Sequence, residues 1–117
     1  MIHIQKTSSS DKQSHQERPQ GKLLIVDDEE DLLFTLKTLF SPHYIVQTAN
    51  NGKQALEIIQ GGFIPQVILA DQRMPEMSGA EFLAESMRLV PQTVRVVLTG
   101  YTDARDIAES INRGNVY

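Results

Sequence analysis

Three aspartates and a threonine stand where apolar runs end: Asp27 and Asp28 close LLIV, Asp71 closes VILA, and Thr99 with Gly100 closes VVL. If those runs are strands finishing on one edge of a sheet, three carboxylates and a hydroxyl share that edge. Two carboxylates about 4 Å apart repel by roughly 4 kcal/mol at an effective dielectric near 20, so three together ask for a cation. Oxygen donors without His or Cys favour a hard ion. A site of a few carboxylates that leaves room for waters and a phosphoryl group suits Mg²⁺. An aspartate beside such an ion can attack phosphorus and form an acyl phosphate. Thr99 adds a hydroxyl donor, and Gly100 leaves space beside the incoming group. The plainer reading is that Asp71 caps a loop or the helix after it, as many loop aspartates do. Convergence of the other acids separates the two readings.

The elements that must position these residues alternate regularly. Residues 23–26 form a first strand, and Leu32, Leu33, Leu36, Leu39 and Phe40 then fall at i, i+1, i+4, i+7 and i+8, one apolar stripe of a helix stopped by Ser41 and Pro42. Residues 44–48 read as a second strand. Asn51 and Gln54 form a capping pair for a helix carrying Ala55, Leu56, Ile58 and Ile59, which Gly61 and Gly62 end. Residues 67–70 are a third strand, apolar throughout as in a strand covered on both faces. Pro75 and Gly79 mark the turn that follows. Ser78 and Glu81 then give a capping-box pattern, and Ala80, Leu83, Ala84 and Met87 supply the expected buried face of a third helix. Residues 94–98 are a fourth strand. Asp103 caps a fourth helix with Ala104, Ile107, Ala108 and Ile111 inward, ending at Gly114, and Val116 and Tyr117 open a fifth strand. Such alternation predicts an α/β fold, a doubly wound parallel sheet with helices on both faces. Ligands of such sheets bind outside the carboxyl ends of the strands, the edge where the acids stand.

The rest of the composition excludes more than it proposes. The 117 residues suit one domain, with 40% hydrophobic and 22% charged residues. A net charge of −4 gives no electrostatic footprint for direct nucleic-acid binding or for an anionic membrane. With no cysteine there is no disulfide or thiolate metal site, which fits a cytoplasmic location. No apolar run approaches a transmembrane span. Residues 1–21 are polar, contain TSSS and lack the apolar core of a signal peptide, so a flexible leader precedes a domain at 22–117. Met74, Met77 and Met87 read as packing or loop-anchoring residues, because a thioether does not suit a hard cation. His3, His15 and His43 read as surface residues, and Arg73 and Arg105 as solvated. Glu29, Glu30 and Asp31 favour the positive end of the first helix rather than the acidic site.

The segments LLIVDDEEDLL, VILADQRMPEMSG and VVLTGYTD, in this order and spacing, resemble the three motif regions of the response-regulator receiver domain of two-component signalling, from about Lys22 to Tyr117. The resemblance implies a flavodoxin-like fold with strand order 2-1-3-4-5, the order known for that family. It makes Asp71 the phosphoacceptor and a Mg²⁺ ligand, Asp28 a direct Mg²⁺ ligand and Asp27 a ligand through water. Arg73 would offer its backbone carbonyl to the metal, and Thr99 would bind a phosphoryl oxygen as the switch residue. The implied partner is a sensor histidine kinase or phosphotransfer protein. An output domain beyond Tyr117 and a homodimer are also expected, and independent enzymatic turnover is not.

Receivers of this family carry a lysine at the end of strand five, preceded by an aromatic switch residue. Tyr117 falls too early after Gly114 for that aromatic, so the expectation is a receiver incomplete at its C-terminus, with strand four as an apolar edge. Two alternatives stand beside the phosphoacceptor. One is a decoy that binds the kinase without taking phosphate. The other is a Mg²⁺ phosphohydrolase, ranked last because no second acid sits two residues after Asp71 to act as general acid. The LTGYTD and RGNVY stretches resemble receivers joined to cyclic-dinucleotide phosphodiesterase domains or to transcriptional activators.

Overall fold

The computed structural model describes residues 21–98 and 104–112, the last segment with side chains through residue 109. Its elements are β1 (Gly21–Val26), α1 (Glu30–Phe40), β2 (Tyr44–Ala49), α2 (Gly52–Gln60), β3 (Val67–Asp71), α3 (Gly79–Leu89), β4 (Val94–Leu98) and α4 (Ala104–Asn112). The strands form one parallel sheet in the order β2-β1-β3-β4. That order places the two apolar runs, β1 and β3, side by side in the middle. Residues 23–26 and 67–70 are all buried because helices cover both faces there. Edge strand β2 instead alternates between exposed and more buried positions.

The two faces of the sheet make two cores. On one, Leu23, Ile25, Val67 and Leu69 meet Leu33, Leu36 and Phe40 of α1 with Ile107 and Ala108 of α4. On the other, Leu24, Val26, Ile68 and Ala70 meet Ala55 and Ile59 of α2 with Phe82 and Leu83 of α3. The α1 stripe is as expected, with Leu32 and Leu39 on its half-buried borders. So are Ala104, Ile107 and Ala108 of α4. Asp103, Gly114, Val116, Tyr117, the side chain of Ile111 and residues 1–20 lie outside the described residues.

Local signals set the helix starts. The Asn51 side chain accepts the Gln54 N–H at 2.7 Å, while Gln54 Oε1 accepts the Asn50 N–H at 2.7 Å. Ser78 and Glu81 form a reciprocal capping box, Ser78 Oγ accepting from the Glu81 N–H at 3.1 Å and Glu81 Oε1 accepting from the Ser78 N–H at 2.9 Å. Glu30 and Asp31 lie in the first turn of α1, where the helix dipole favours acids.

The expected face of α3 needs correction. Ala80, Ala84 and Met87 are exposed, and the buried residues are Gly79, Phe82, Leu83 and Ser86. Phe82 decides this, since its ring is the largest apolar surface on the helix and is fully buried against α2 and the sheet. Ser86, one turn on, is buried for a polar reason. Its Oγ donates to the Leu83 carbonyl and accepts from Arg95 Nε at 2.9 Å, while the same guanidinium donates to the carbonyls of Ser86, Val90 and Thr93. Arg95 of β4 thereby satisfies orphan carbonyls at the end of α3. Among the described residues no helix is long and apolar enough to cross a membrane.

Candidate functional site

The register of the sheet brings the acids together. β1 and β3 pair Val26 with Ala70, so Asp27 and Asp71 are the next residues of the two strands' chain segments at the carboxyl edge, and β3 pairs Asp71 with Leu98 of β4. Carboxylate oxygens of Asp27, Asp28 and Asp71 lie within 4.8 Å of one another. Glu29, Glu30 and Asp31 stay outside this group, at the start of α1. Thr99 and Gly100 follow Leu98 in sequence and lie outside the described residues.

Each acid is held differently. Asp27 is only 4% exposed, the one buried ionisable side chain among the described residues. Its N–H donates to the Ala49 carbonyl at 3.1 Å, and its Oδ1 accepts the Glu29 N–H at 2.9 Å. Burial pushes its carboxyl up to about 6, the Glu29 N–H opposes the shift, and the charges of Asp71, Asp28 and Glu29 add to it. Asp71 is half-buried. Desolvation raises its carboxyl above the ordinary range and Asp28 adds to that, while backbone N–H groups of Arg73 and Gln72 and the Arg73 charge pull it down. Asp28 is exposed.

The connection after Asp71 is tied at its base. The Gln72 N–H donates to the Leu98 carbonyl at 3.1 Å, and the Gly79 N–H donates to the Gln72 carbonyl at 3.0 Å. A Cβ at Gly79 would overlap the Asp71 carbonyl oxygen and lie 2.9 Å from Gln72 Cα, so only glycine lets α3 start this close to the acid. The sequence marked Gly79 as part of a turn; its closeness to Asp71 depends on long-range packing. Glu76 takes a left-handed φ of 71° in the same loop. Met74 and Met77 are half-buried against the α2–α3 core, as packing residues should be, whereas Met87 is 51% exposed. His43 is exposed, as is the Arg73 side chain.

The donor set fits a hard divalent cation. All three donors are carboxylates, their oxygens converge, and a cation would offset the desolvation that mainly raises the carboxyls of Asp27 and Asp71 together with the smaller repulsion from the neighbouring acids.

Comparison with known proteins agrees with this geometry. The model of the response regulator receiver domain family matches residues 23–117. The chain is 36% identical over 98 residues to the hydrogenase transcriptional regulatory protein HoxA of Cupriavidus necator, covering 84% of this chain but only 20% of that protein. It is 35% identical over 95 residues to sporulation initiation phosphotransferase F of Bacillus subtilis, covering 80% of this chain and 75% of that one. Among solved structures, a CheY-like response regulator receiver domain protein from Methanospirillum hungatei superposes with a TM-score of 0.66 at 28% identity, covering 81% of this chain and 76% of that chain. An adenylate cyclase from Rhodopirellula baltica gives 0.67 at 36% identity, covering 83% and 72%. The chain thus spans about a fifth of the length of its HoxA relative. Domains of this kind are regulatory modules that interact with histidine kinases or phosphotransfer proteins. What the three motifs suggest, the matched span establishes: the chain belongs to the response regulator receiver domains of two-component signalling.

Proposed function

We propose that the domain accepts a phosphoryl group on Asp71 from the phosphohistidine of a sensor kinase or phosphotransfer protein. The convergence of Asp27, Asp28 and Asp71 at the carboxyl edge carries the reading. A carboxylate oxygen of Asp71 attacks phosphorus, the N–P bond of the phosphohistidine breaks, and an acyl phosphate forms. Desolvation raises the Asp71 carboxyl, and the backbone N–H groups of Arg73 and Gln72, which donate to it, oppose that shift. Asp28, the exposed member of the trio, and Asp71 would hold Mg²⁺, and the buried Asp27, already engaged by Glu29, would act through water. The Arg73 carbonyl completes the protein's share of the donors. The cation, when bound, neutralises charge on the phosphoryl oxygens. Thr99, next after the Leu98 partner of Asp71, receives a phosphoryl oxygen and reports the event to β4 and α4. Residues 22–117 form this module behind a leader at 1–21. It works in the cytoplasm and passes its state to an output domain or partner, as the transcriptional regulatory names among its relatives suggest.

Incubating the chain with a small acyl phosphate, with and without Mg²⁺, tests this directly. Mass spectrometry should find one Mg²⁺-dependent phosphoryl group on Asp71, absent from Asp71→Asn. Unmodified protein under conditions where it is folded and Mg²⁺ binds would refute the assignment; kinase binding that survives Asp71→Asn without phosphate uptake would then favour a decoy.

A further inference from the structure

The loop between Asp71 and α3 is fixed at its base by Gln72 and Gly79, yet residues 73–77 must reach out from that base and return. The far side of the loop meets the first residue of α2. An ideal Cβ at Gly52 would lie 2.6 Å from Met77 Sδ, 3.3 Å from Met77 Cγ and 3.3 Å from Phe82 Cβ. Gly52 is buried, and its φ lies outside the left-handed region, so backbone freedom does not explain the glycine. Glycine is also the poorest helix former after proline. What the missing side chain provides is a recess, and the Met77 thioether sits beside it.

We infer that Gly52 and Met77 are a positioning pair, in which the recess at the start of α2 seats Met77 and so holds the loop that carries Arg73 at the metal site. The inference rests on the metal-assisted reading above. Arg73 lies between two anchors, the Gln72 N–H bond to β4 on one side and the seated Met77 on the other. Mg²⁺ demands near-ideal octahedral geometry, so a backbone donor released from one anchor loses affinity before the fold loses stability. Neither Gly52 nor Met77 offers the cation a ligand. Their effect passes through the loop.

Calorimetric titration of the full chain with MgCl₂, alongside thermal melting, separates this role from a structural one. Met77→Ser and Gly52→Ala should each weaken Mg²⁺ binding about tenfold. Met77→Leu, which keeps the bulk, should stay within about twofold of the parent. The double variant should bind no worse than the weaker single, since both changes remove one contact. If folded Met77→Ser binds Mg²⁺ like the parent, or if the two losses multiply in the double variant, the pair does not position the loop. Met77 is half-buried in a loop, so the Met77→Ser and Met77→Leu comparison decides the matter even if Gly52→Ala does not fold. A parent that binds no Mg²⁺ overturns the metal reading and the inference with it; a parent that binds beside unchanged variants overturns the inference alone.

Discussion

Asp27→Asn should make the metal-free domain more stable at neutral pH. Asp27 is buried, and its carboxyl is pushed from 3.8 to about 6, mainly by desolvation. The native state therefore binds this proton more tightly than the unfolded chain does. Stability from this group is fully present below the unfolded value of 3.8 and is lost as pH rises through about 6. A rise of about 2 units corresponds to about 3 kcal/mol at most. Asparagine has the shape of the protonated acid, keeps an acceptor for the Glu29 N–H and carries no charge to desolvate. In urea unfolding with a chelator near pH 7.5, the variant should exceed the parent by up to ~3 kcal/mol, a midpoint shift of ~2 M for a slope of ~1.5 kcal/mol/M. The gap should shrink through pH 6 and close near pH 4, where the parent carries the proton. Added Mg²⁺ should narrow it from the other side, since a ligand at a hundred times its Kd stabilises the native parent by about 2.7 kcal/mol. A variant no more stable than the parent near pH 7.5, or a gap that widens on acidification, would refute the claim that burial of this charge strains the apo site.

Three further changes follow from the packing. Gly79→Ala should cost about 1–3 kcal/mol in thermal or urea melts and also depress phosphoryl uptake, because the new methyl meets the backbone of Asp71 and Gln72 rather than a movable side chain. Ser86→Ala should cost about 1–3 kcal/mol, measured by urea unfolding, by removing the acceptor of Arg95 Nε inside the α3–β4 junction. Ile107→Ala should cost about 2–5 kcal/mol. Combined with Leu36→Ala in a double-mutant cycle, it should show coupling of at least about 0.5 kcal/mol, because α4 and α1 share one core.

The parts of the fold that depend on local pattern were legible in the sequence, and the parts that depend on competition between elements were not. Residues 23–26 and 67–70 read as central strands because both faces of each are covered, and the structure buries all eight. The Ser78–Glu81 box and the Asn51 cap are short-range chemistry and form as read. The face of α3 is different. Ala80, Leu83, Ala84 and Met87 make a consistent stripe, but Phe82 makes a stronger claim on the core, and Arg95, nine residues after Ser86, needs a small polar partner there. Helix α4 carries an apolar stripe that says nothing about which face of the sheet it covers. A right-handed connection from β4 to a parallel strand beyond it would carry α4 over the α3 side. In the structure α4 shares the core of α1 instead, where Ile107 and Ala108 join Leu33 and Leu36. The acidic trio was readable because strand ends are local, whereas the unequal burial of Asp27 and Asp28 follows from the turn into α1 and has no sequence signature.

That inequality bears on how the site couples folding to signalling. Three carboxylates at one edge cost the apo domain stability, and the cost falls mainly on Asp27 and Asp71, the two whose carboxyls are raised. Asp28 remains exposed beside them, where a cation can first meet the site. A cation that engages Asp28 lowers the penalty on its neighbours, because its charge offsets the desolvation that mainly raises their carboxyls as well as the smaller repulsion among the acids. Binding therefore releases a proton from Asp27 as it stabilises the fold, and affinity rises with pH through about 6, the value of Asp27. Calorimetric Mg²⁺ titrations in buffers of different ionisation enthalpy near that pH should report proton release, and Asp27→Asn should reduce it. Equal heats in all buffers, with Mg²⁺ bound, would mean that Asp27 is already ionised in the apo domain and that desolvation does not govern its carboxyl.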